Sequence, residues 1–341
     1  MSDLIKIAVD AMGGDNAPKK IINGIIHNHR HYKNNFFIIF GLEKEIFPHI
    51  NNKIDKKFYK IVNTENYVKS TDSPLEAAKK GKDTSMWLTI QSVKNNESDV
   101  AISAGNTGAL FVISKLNLKM IENIDKPALS ALWPNKNNFN VVLDLGANIE
   151  CNDKNLVDFS IMGSSLYKAL YPKDEAEVAL LNVGSEELKG NEIIKKAYQE
   201  LNSKKNKNFN FHGYIEGNQI MDGKVNVIVT DGFTGNIALK TAEGTARFIT
   251  DNLKLSLKEN FLSKLSIIFS YFSLKRFKEK LDPRKFNGAI FLGLNGPVVK
   301  SHGSTDSLGF YHSIDLCYKI VKGNLMSQIK DNLSHLNDNK K

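Results

Sequence analysis

One pattern recurs along this chain. A short apolar run ends in a loop of glycine, asparagine, aspartate, serine or threonine, and helical sequence usually follows. Ile5 to Val9 runs into Asp10-Ala-Met-Gly13-Gly14-Asp15-Asn16, and Val100 to Ile102 into Ser103-Ala-Gly105-Asn106-Thr107-Gly108. Val141 to Leu143 runs into Asp144-Leu-Gly146-Ala-Asn148, and Val178 to Leu181 into Asn182-Val-Gly184 and on to Lys189-Gly190. Val225 to Val229 precedes Thr230-Asp231-Gly232-Phe-Thr234-Gly235-Asn236, and Ala289 to Leu292 precedes Gly293-Leu-Asn295-Gly296. Continuous rather than alternating apolar runs suit strands buried on both faces. Their alternation with helices predicts parallel βαβ units and an α/β fold with a mostly parallel sheet. Ligands of such sheets gather at the carboxyl ends of the strands. The loops all follow strand ends, so the expectation is one site assembled from many of them.

Helix signals agree. Ser73-Pro74-Leu75-Glu76 fits a capping box with proline at the first helical position, and the helix is predicted to run towards Ser92. An apolar helix follows Gly108, and another spans Ile237 to Leu253. With 341 residues, of which 41% are hydrophobic and 24% charged, the chain reads as one large α/β domain over residues 1–333. The polar stretch 334–341 is expected to fray.

Several classes fall away. No run approaches the length needed to span a bilayer, and Met1 to Asp10 reads as the start of a first strand, not a signal peptide. A cytoplasmic protein is expected. Cys151 and Cys317 are too few for a disulfide framework and read as reduced thiols. Zinc-type Cys/His spacing is missing, and so is any aromatic-basic ribonucleoprotein pattern, so neither metal nor nucleic acid is expected. The net charge of +9 suits an anionic partner: an acidic protein or an anionic membrane.

Residues 251–286 differ from the rest. They are rich in lysine and arginine, and Leu253, Leu257, Phe261, Leu265, Ile268 and Phe272 recur at spacings of three and four. This reads as a basic amphipathic helix, or two joined near Ser270. It could lie on an anionic membrane, or pack on its own or a partner subunit. Lys254 and Lys264 fall near the apolar face and would have to snorkel.

Among the loops, Ser103 to Gly108 has the composition of an anion site. Two glycines let backbone N–H groups converge, and the following helix brings its positive end. Gly13-Gly14 allows similar close approach, while Asp10 or Asp15 could hold a lysine or cap a helix. Neither loop is a G-x-G-x-x-G or Walker A motif. Asp231, Gly232 and Thr234 join strand to helix beside Asn236, a neutral N–H donor, and Lys189 offers a cation. His302-Gly303-Ser304 suits a phosphate or carboxylate contact or a helix cap better than a hydrolase triad, whose members meet from distant segments.

Taken together, these motifs resemble the bacterial phosphate acyltransferases of phospholipid synthesis. The likeness begins at Val9-Asp-Ala-Met-Gly-Gly-Asp-Asn-Ala-Pro18. It continues in order through Ser103 to Gly108, Asp144 to Asn148, Leu181 to Gly184 with Lys189-Gly190, Asp231 to Asn236, and Leu294 to Gly296 with Ser301 to Ser304. The chain departs from the family pattern at Asn218 and Lys126, where arginine is common, and at Thr84, where serine is usual. The resemblance implies a Rossmann-like three-layer α/β/α fold, related to phosphotransacetylases and isopropylmalate-type dehydrogenases, with a protruding helical pair. It implies acyl-[acyl carrier protein] and inorganic phosphate as substrates, acyl-phosphate as product, no cofactor, a homodimer and peripheral membrane contact. The membrane glycerol-3-phosphate acyltransferase that consumes acyl-phosphate would be a further partner. Lys189 and Asn236 would be catalytic, with Asn236 donating to the oxyanion and Lys189 neutralising phosphate and the developing charge. Two rivals remain: a nucleotide-dependent dehydrogenase of related fold, which would need the dinucleotide fingerprint, and a non-enzymatic lipid-surface scaffold, which has no use for convergent anion loops.

Overall fold

In the computed structural model, residues 4–203 and 208–338 are described. The chain opens with β1 (Ile5–Asp10), α1 (Lys19–His31), β2 (Asn35–Gly41), α2 (Glu43–Ile50) and β3 (Tyr59–Asn63). Two helices, α3 (Pro74–Lys80) and α4 (Ser85–Lys94), lead to β4 (Val100–Ser103) and α5 (Thr107–Leu118). The hairpin β5 (Ala128–Pro134) and β6 (Phe139–Leu143) precedes α6 (Asp153–Leu170), β7 (Glu177–Leu181), α7 (Glu192–Ser203), β8 (Asn210–Ile215) and β9 (Val227–Val229). The long helices α8 (Gly232–Lys258) and α9 (Phe261–Lys280) follow, then β10 (Ala289–Leu292), β11 (Val298–Lys300), α10 (Ser307–Lys322) and α11 (Leu325–Asp338).

The strands form a single 11-stranded sheet in the order β3-β2-β1-β4-β11-β10-β5-β6-β9-β7-β8. Strand residues alternate between its faces. Ile7 and Val9 enter one core with α1, α6, α10 and α11, while Ala8 enters a second core with α4 and α5. Val142 and Ile228 join a third core, closed by Ala238, Leu239 and Ala242 of α8. The result is the expected mostly parallel α/β architecture, with helices on both faces.

Strand direction is what positions the site. β1, β2, β3, β4 and β11 run parallel to one another. β10 is antiparallel to both β11 and β5, and β5 is antiparallel to β6. After three reversals, β6, β9, β7 and β8 all run the other way. The loops therefore do not converge on one row of strand ends. Those after β1, β4 and β11 form one group, and those after β6, β7 and β9 form another at the opposite end of the strands. The expected strand over Ala289 to Leu292 is present, but it turns through Gly293 to Gly296 into an antiparallel partner instead of a helix.

Other expectations shift locally. The helix from Ser73 breaks at Gly81, and no Ser73 side-chain cap forms. The Thr84 hydroxyl donates to Gly81 O (2.6 Å) and accepts from Trp87 N, starting a new helix. The basic segment breaks at Asn260, which caps α9 by accepting from Ser263 N, and not near Ser270. The tail stays helical to Asp338; residues 339–341 lie outside the described ones. Phe248, Ile249, Phe261, Ile268, Phe269 and Phe272 are exposed on α8 and α9. The proposed apolar row keeps Leu253 exposed and Leu257 half-buried, while the Leu265 side chain lies outside the described ones. Exposed Phe269 and Phe277 fall off that row, so the apolar surface of α9 is broader than the single face expected. No helix among the described residues is long and apolar enough to cross a membrane.

Candidate active site

At the ends of β1, β4 and β11, which neighbour one another in the sheet, lies a pocket of about 330 Å³. Gly14, Asp15, Ala104 to Gly108, Lys300, Gly303 and Ser304 line it, with Val68 and Ser70 at its side. Its floor depends on close backbone packing. A Cβ at Gly13 would fall 2.5 Å from Gly105 N, and one at Gly14 would fall 2.8 Å from Ala104 O. Gly14 also has φ +84°, which disfavours other residues. Gly13 itself does not line the pocket; it lets the β1 loop lie against the β4 loop.

Asp10 fixes that arrangement from below. It is buried, and accepts from Ser103 Oγ (2.6 Å), Ser85 Oγ (2.7 Å) and Met12 N (3.2 Å). Ser103 Oγ in turn accepts from Gly105 N (3.0 Å). Burial raises the Asp10 pKa above its ordinary value, opposed by the Ser103 and Ser85 hydroxyls, the Met12 amide and the charge of Lys300. Asp10 is thus a brace for the loops and not a lining group.

The N-terminus of α5 points at the pocket. Asn106 caps it by accepting from Ala109 N, while its own amide donates to Ser70 O and Asp72 O. First-turn N–H groups have no partner within a helix. The Thr107 and Gly108 amides therefore form the anion-facing edge, whereas the Gly105 amide is taken up by Ser103. On the facing loop, Asp15 N donates to Gly303 O (3.0 Å) and Ser304 Oγ lies 3.0 Å from His302 Nδ1. Burial and the neighbouring Lys300 push His302 below its ordinary pKa, so the ring is neutral at pH 7.

Two groups were missed by sequence reasoning. Lys300 closes β11 and lines the pocket while only 8% exposed. Lys20, in the first turn of α1, is buried beside Gly14 and donates to Gly303 O. The available signal was a lysine ending the apolar strand Val298-Val299-Lys300 just before Ser301-His302.

The second group of loops is built differently. Asp144 is fully buried and accepts from the Leu129, Gly146, Ala147 and Asn148 amides and from Asn148 Nδ2, at 2.8–3.1 Å. Burial raises its pKa against those donors. Asp231 caps α8, accepting from Thr234 N (2.8 Å) and Thr234 Oγ1 (2.7 Å). Gly232 and Gly235 seat the helix against Asn148 and Asp144. The exposed Asn236 donates to Leu145 O at 3.2 Å. Asn182 braces the β7 loop by donating to Gly184 O and Lys189 O, and leaves the Lys189 side chain exposed. Neither Lys189 nor Asn236 lines the pocket. α8 links the two groups: it starts at the second, and its Lys240 and Glu243 act electrostatically on His302 of the first. At the positions departing from the family pattern, Thr84 caps α4, Lys126 donates to Glu150 O, and Asn218 lies in a short turn of helix.

The sequence matches the family described as "Fatty acid synthesis protein" over residues 5–328. It is 65% identical over 333 residues to the phosphate acyltransferase of Pelagibacter ubique (strain HTCC1062), covering 98% of this chain and 100% of that one. The chain belongs to the phosphate acyltransferase family. A second relative, the phosphate acyltransferase of Parvibaculum lavamentivorans, is 42% identical and covers 97% of this chain and 92% of its own. The protein is accordingly an acyltransferase of fatty acid and phospholipid synthesis. Among solved structures it is similar to a phosphotransacetylase from Streptococcus pyogenes (TM-score 0.59, 14% identity, 95% of this chain and 94% of that one). A phosphotransacetylase from Staphylococcus aureus is comparably similar (TM-score 0.58, 13% identity, 94% of each chain). At such identities the likeness speaks for the fold, and it agrees with the relationship the motifs implied.

Phosphate acyltransferase chemistry by direct attack has no need of a cysteine nucleophile, and the thiols fit that. Burial, with Asp144 second, pushes Cys151 up to about 11; Cys317 is fully buried in the core. Neither is an activated thiolate. Cys151→Ser is expected to keep turnover within about twofold of the parent, checked by steady-state assay. A loss of about 100-fold in a folded variant would instead indicate a covalent intermediate.

Proposed function

We propose that this acyltransferase moves an acyl group from the thioester of acyl carrier protein to inorganic phosphate, releasing acyl-phosphate and the carrier's free thiol. The observation that carries the reading is the pocket at the α5 N-terminus, where amides and a buried ammonium converge with no nucleotide fingerprint nearby. Phosphate is anionic already, so it needs positioning more than activation. Holding its oxygen against the carbonyl carbon supplies part of the roughly 7–11 kcal/mol available from proximity. As the C–O bond forms, the carbonyl electrons move to oxygen; they return as the C–S bond breaks and the thiolate leaves. A thiol with a pKa of about 8.5 departs without a strong general acid.

In this reading Asn236 donates to the oxyanion and Lys189 balances the developing charge. Both stand on the second group of loops and neither lines the pocket. Their roles therefore require phosphate and the acyl thioester to meet where α8, whose Lys240 and Glu243 act on His302, passes from one group to the other. The net charge of +9 favours encounter with an acidic carrier protein. The exposed apolar residues of α8 and α9 are the surface we assign to a second subunit or an anionic membrane, from which acyl-phosphate would pass to a membrane glycerol-3-phosphate acyltransferase.

The test is acyl-phosphate formation, trapped with hydroxylamine, from long-chain acyl-carrier protein with and without phosphate. Product that rises with phosphate is the expected result; none from a folded protein would defeat the reading. Asn236→Ala is expected to lower kcat by about 100-fold or more, with Lys189→Ala also impaired. Near-parental rates would remove either residue from the mechanism.

A further inference from the structure

Lys300 is a charged side chain at the end of a strand buried on both faces, and it opens onto the pocket. Its ammonium donates to Ser301 O, and the ammonium of Lys20 donates to Gly303 O. Each is therefore held by a backbone carbonyl, not by a carboxylate. A lysine carries three N–H donors, and a buried ammonium without a bonded counter-ion is costly. An anion entering beside Thr107 and Gly108 would meet Lys300 directly, with Lys20 behind Gly14.

We propose that Lys300 is the counter-charge for phosphate in this pocket, and that Asp10, which does not line it, is the positioning residue that braces the two glycine loops and supports the charge of Lys300 from below. The inference rests on the acyl transfer reading for the identity of the anion, but not for the existence of the site. The groups that face Lys300 are Asp10 from β1, Lys20 from α1 and His302 from its own loop. Asp15 acts on Lys20 in turn. Burial and then Lys20 push Lys300 down to about 8, while Asp10 supports its charged form.

The sign of the pH dependence follows. Below about pH 8 Lys300 is charged and phosphate binds. As pH rises through that value the counter-charge is lost, so kcat/KM for phosphate, which reports the free enzyme, falls on the alkaline side. Removing the Asp10 carboxylate withdraws its support, so the fall moves to lower pH. Replacing lysine with arginine, which stays charged, abolishes the fall.

The experiment has two arms on the full-length protein. Inorganic phosphate binding is measured by calorimetry from about pH 6.5 to about 9.5, and acyl-phosphate formation is assayed over the same range. Lys300→Met is expected to weaken phosphate binding and raise its KM by about 10- to 100-fold, with kcat changed much less. Lys300→Arg should restore binding to within about threefold and flatten the alkaline limb; it also guards against a Met variant that misfolds. Asp10→Asn should shift the limb to lower pH, an effect that mere loosening of the loops would not produce. Parental affinity and an unmoved limb in Lys300→Met, while the parent protein makes acyl-phosphate, would overturn this inference and leave the acyl transfer reading standing. Phosphate binding that depends on Lys300, in a protein that makes no acyl-phosphate, would do the reverse.

Discussion

Replacing Gly13 with alanine is expected to lower phosphate-dependent turnover by about 100-fold while leaving a folded protein, since a misplacement of about 1 Å near reacting groups can cost that much. The added methyl would lie 2.5 Å from Gly105 N, 2.9 Å from Gly105 Cα and 2.8 Å from Asp10 Oδ2. Two of these atoms are backbone, so no rotamer change relieves the contact. The β1 loop must retreat from the β4 loop, and with it Gly14, which lines the pocket. The strands beneath are paired along their length, so the disturbance should stay local. Circular dichroism would report the fold, and steady-state kinetics the KM for phosphate. Gly217→Ala, where a methyl meets nothing within 4 Å, is the matched control and should behave as the parent. Near-parental turnover in Gly13→Ala would mean that close packing of the two loops is not what shapes the anion site.

The largest effect on stability is expected at Asp144. Its two oxygens collect four backbone amides and the Asn148 side-chain amide while fully buried. Alanine would strand several of those donors without water, and each unsatisfied buried donor costs about 1–3 kcal/mol. A loss of about 3–5 kcal/mol is therefore expected, at the upper end for single substitutions, read as a lower urea midpoint. Asparagine at the same position offers one oxygen to the same amides but turns an N–H₂ group towards others, so it should recover only part of the loss. The damage should also reach Asn236, whose amide rests on Leu145 O, and the start of α8, where Gly235 packs on the Asp144 carbonyl. A change below about 1 kcal/mol in the alanine variant would mean that water or a shifted backbone satisfies the amides.

Much of the architecture was readable because it is written locally. Apolar runs such as Val100 to Ile102 mark buried strands, and Asn106, Asp231 and Asp306 stand where helices begin and cap them. Strand direction was not readable, because it is fixed by distant partners. Ala289 to Leu292 has the composition of any parallel strand here, yet it pairs antiparallel on both sides. Together with the antiparallel pairing of β5 and β6, that reverses the remaining strands and divides the strand-end loops into two groups. Asp10, Gly13 and Gly14 were legible as site residues, but their division into brace, packing and lining depends on side chains 75 and 93 positions away. Lys20 was illegible, and Lys300 was passed over despite closing an apolar run, for a chemical reason. In sequence a lysine reads as solvated, and only the packing of α1 and β11 removes these two from water. The break at Asn260 was missed because apolar spacing continues across it, while the signal was the capping residue itself.

The placement of β10 and β11 bears on how the chain is made. They fill the centre of the sheet, between β4 and β5, although they come from residues 289–300. During synthesis from the N-terminus, β4 and β5 emerge early and cannot pair with each other in the native sheet. The first half-sheet must wait with its inner edge open while β5 to α9 are added, and the second, complete only with β9, while α8 and α9 follow, at about 5–20 residues per second. Unpaired edges of this kind invite pairing with other chains. Lys300 is the last residue of the strand that closes the gap, so the nascent protein acquires a complete anion pocket only when its two half-sheets are joined. On the proposed reading, competence for phosphate is thus acquired late, with only α10 and α11 still to be added, and a ribosome-bound fragment ending before β10 is expected to be both inactive and prone to aggregate.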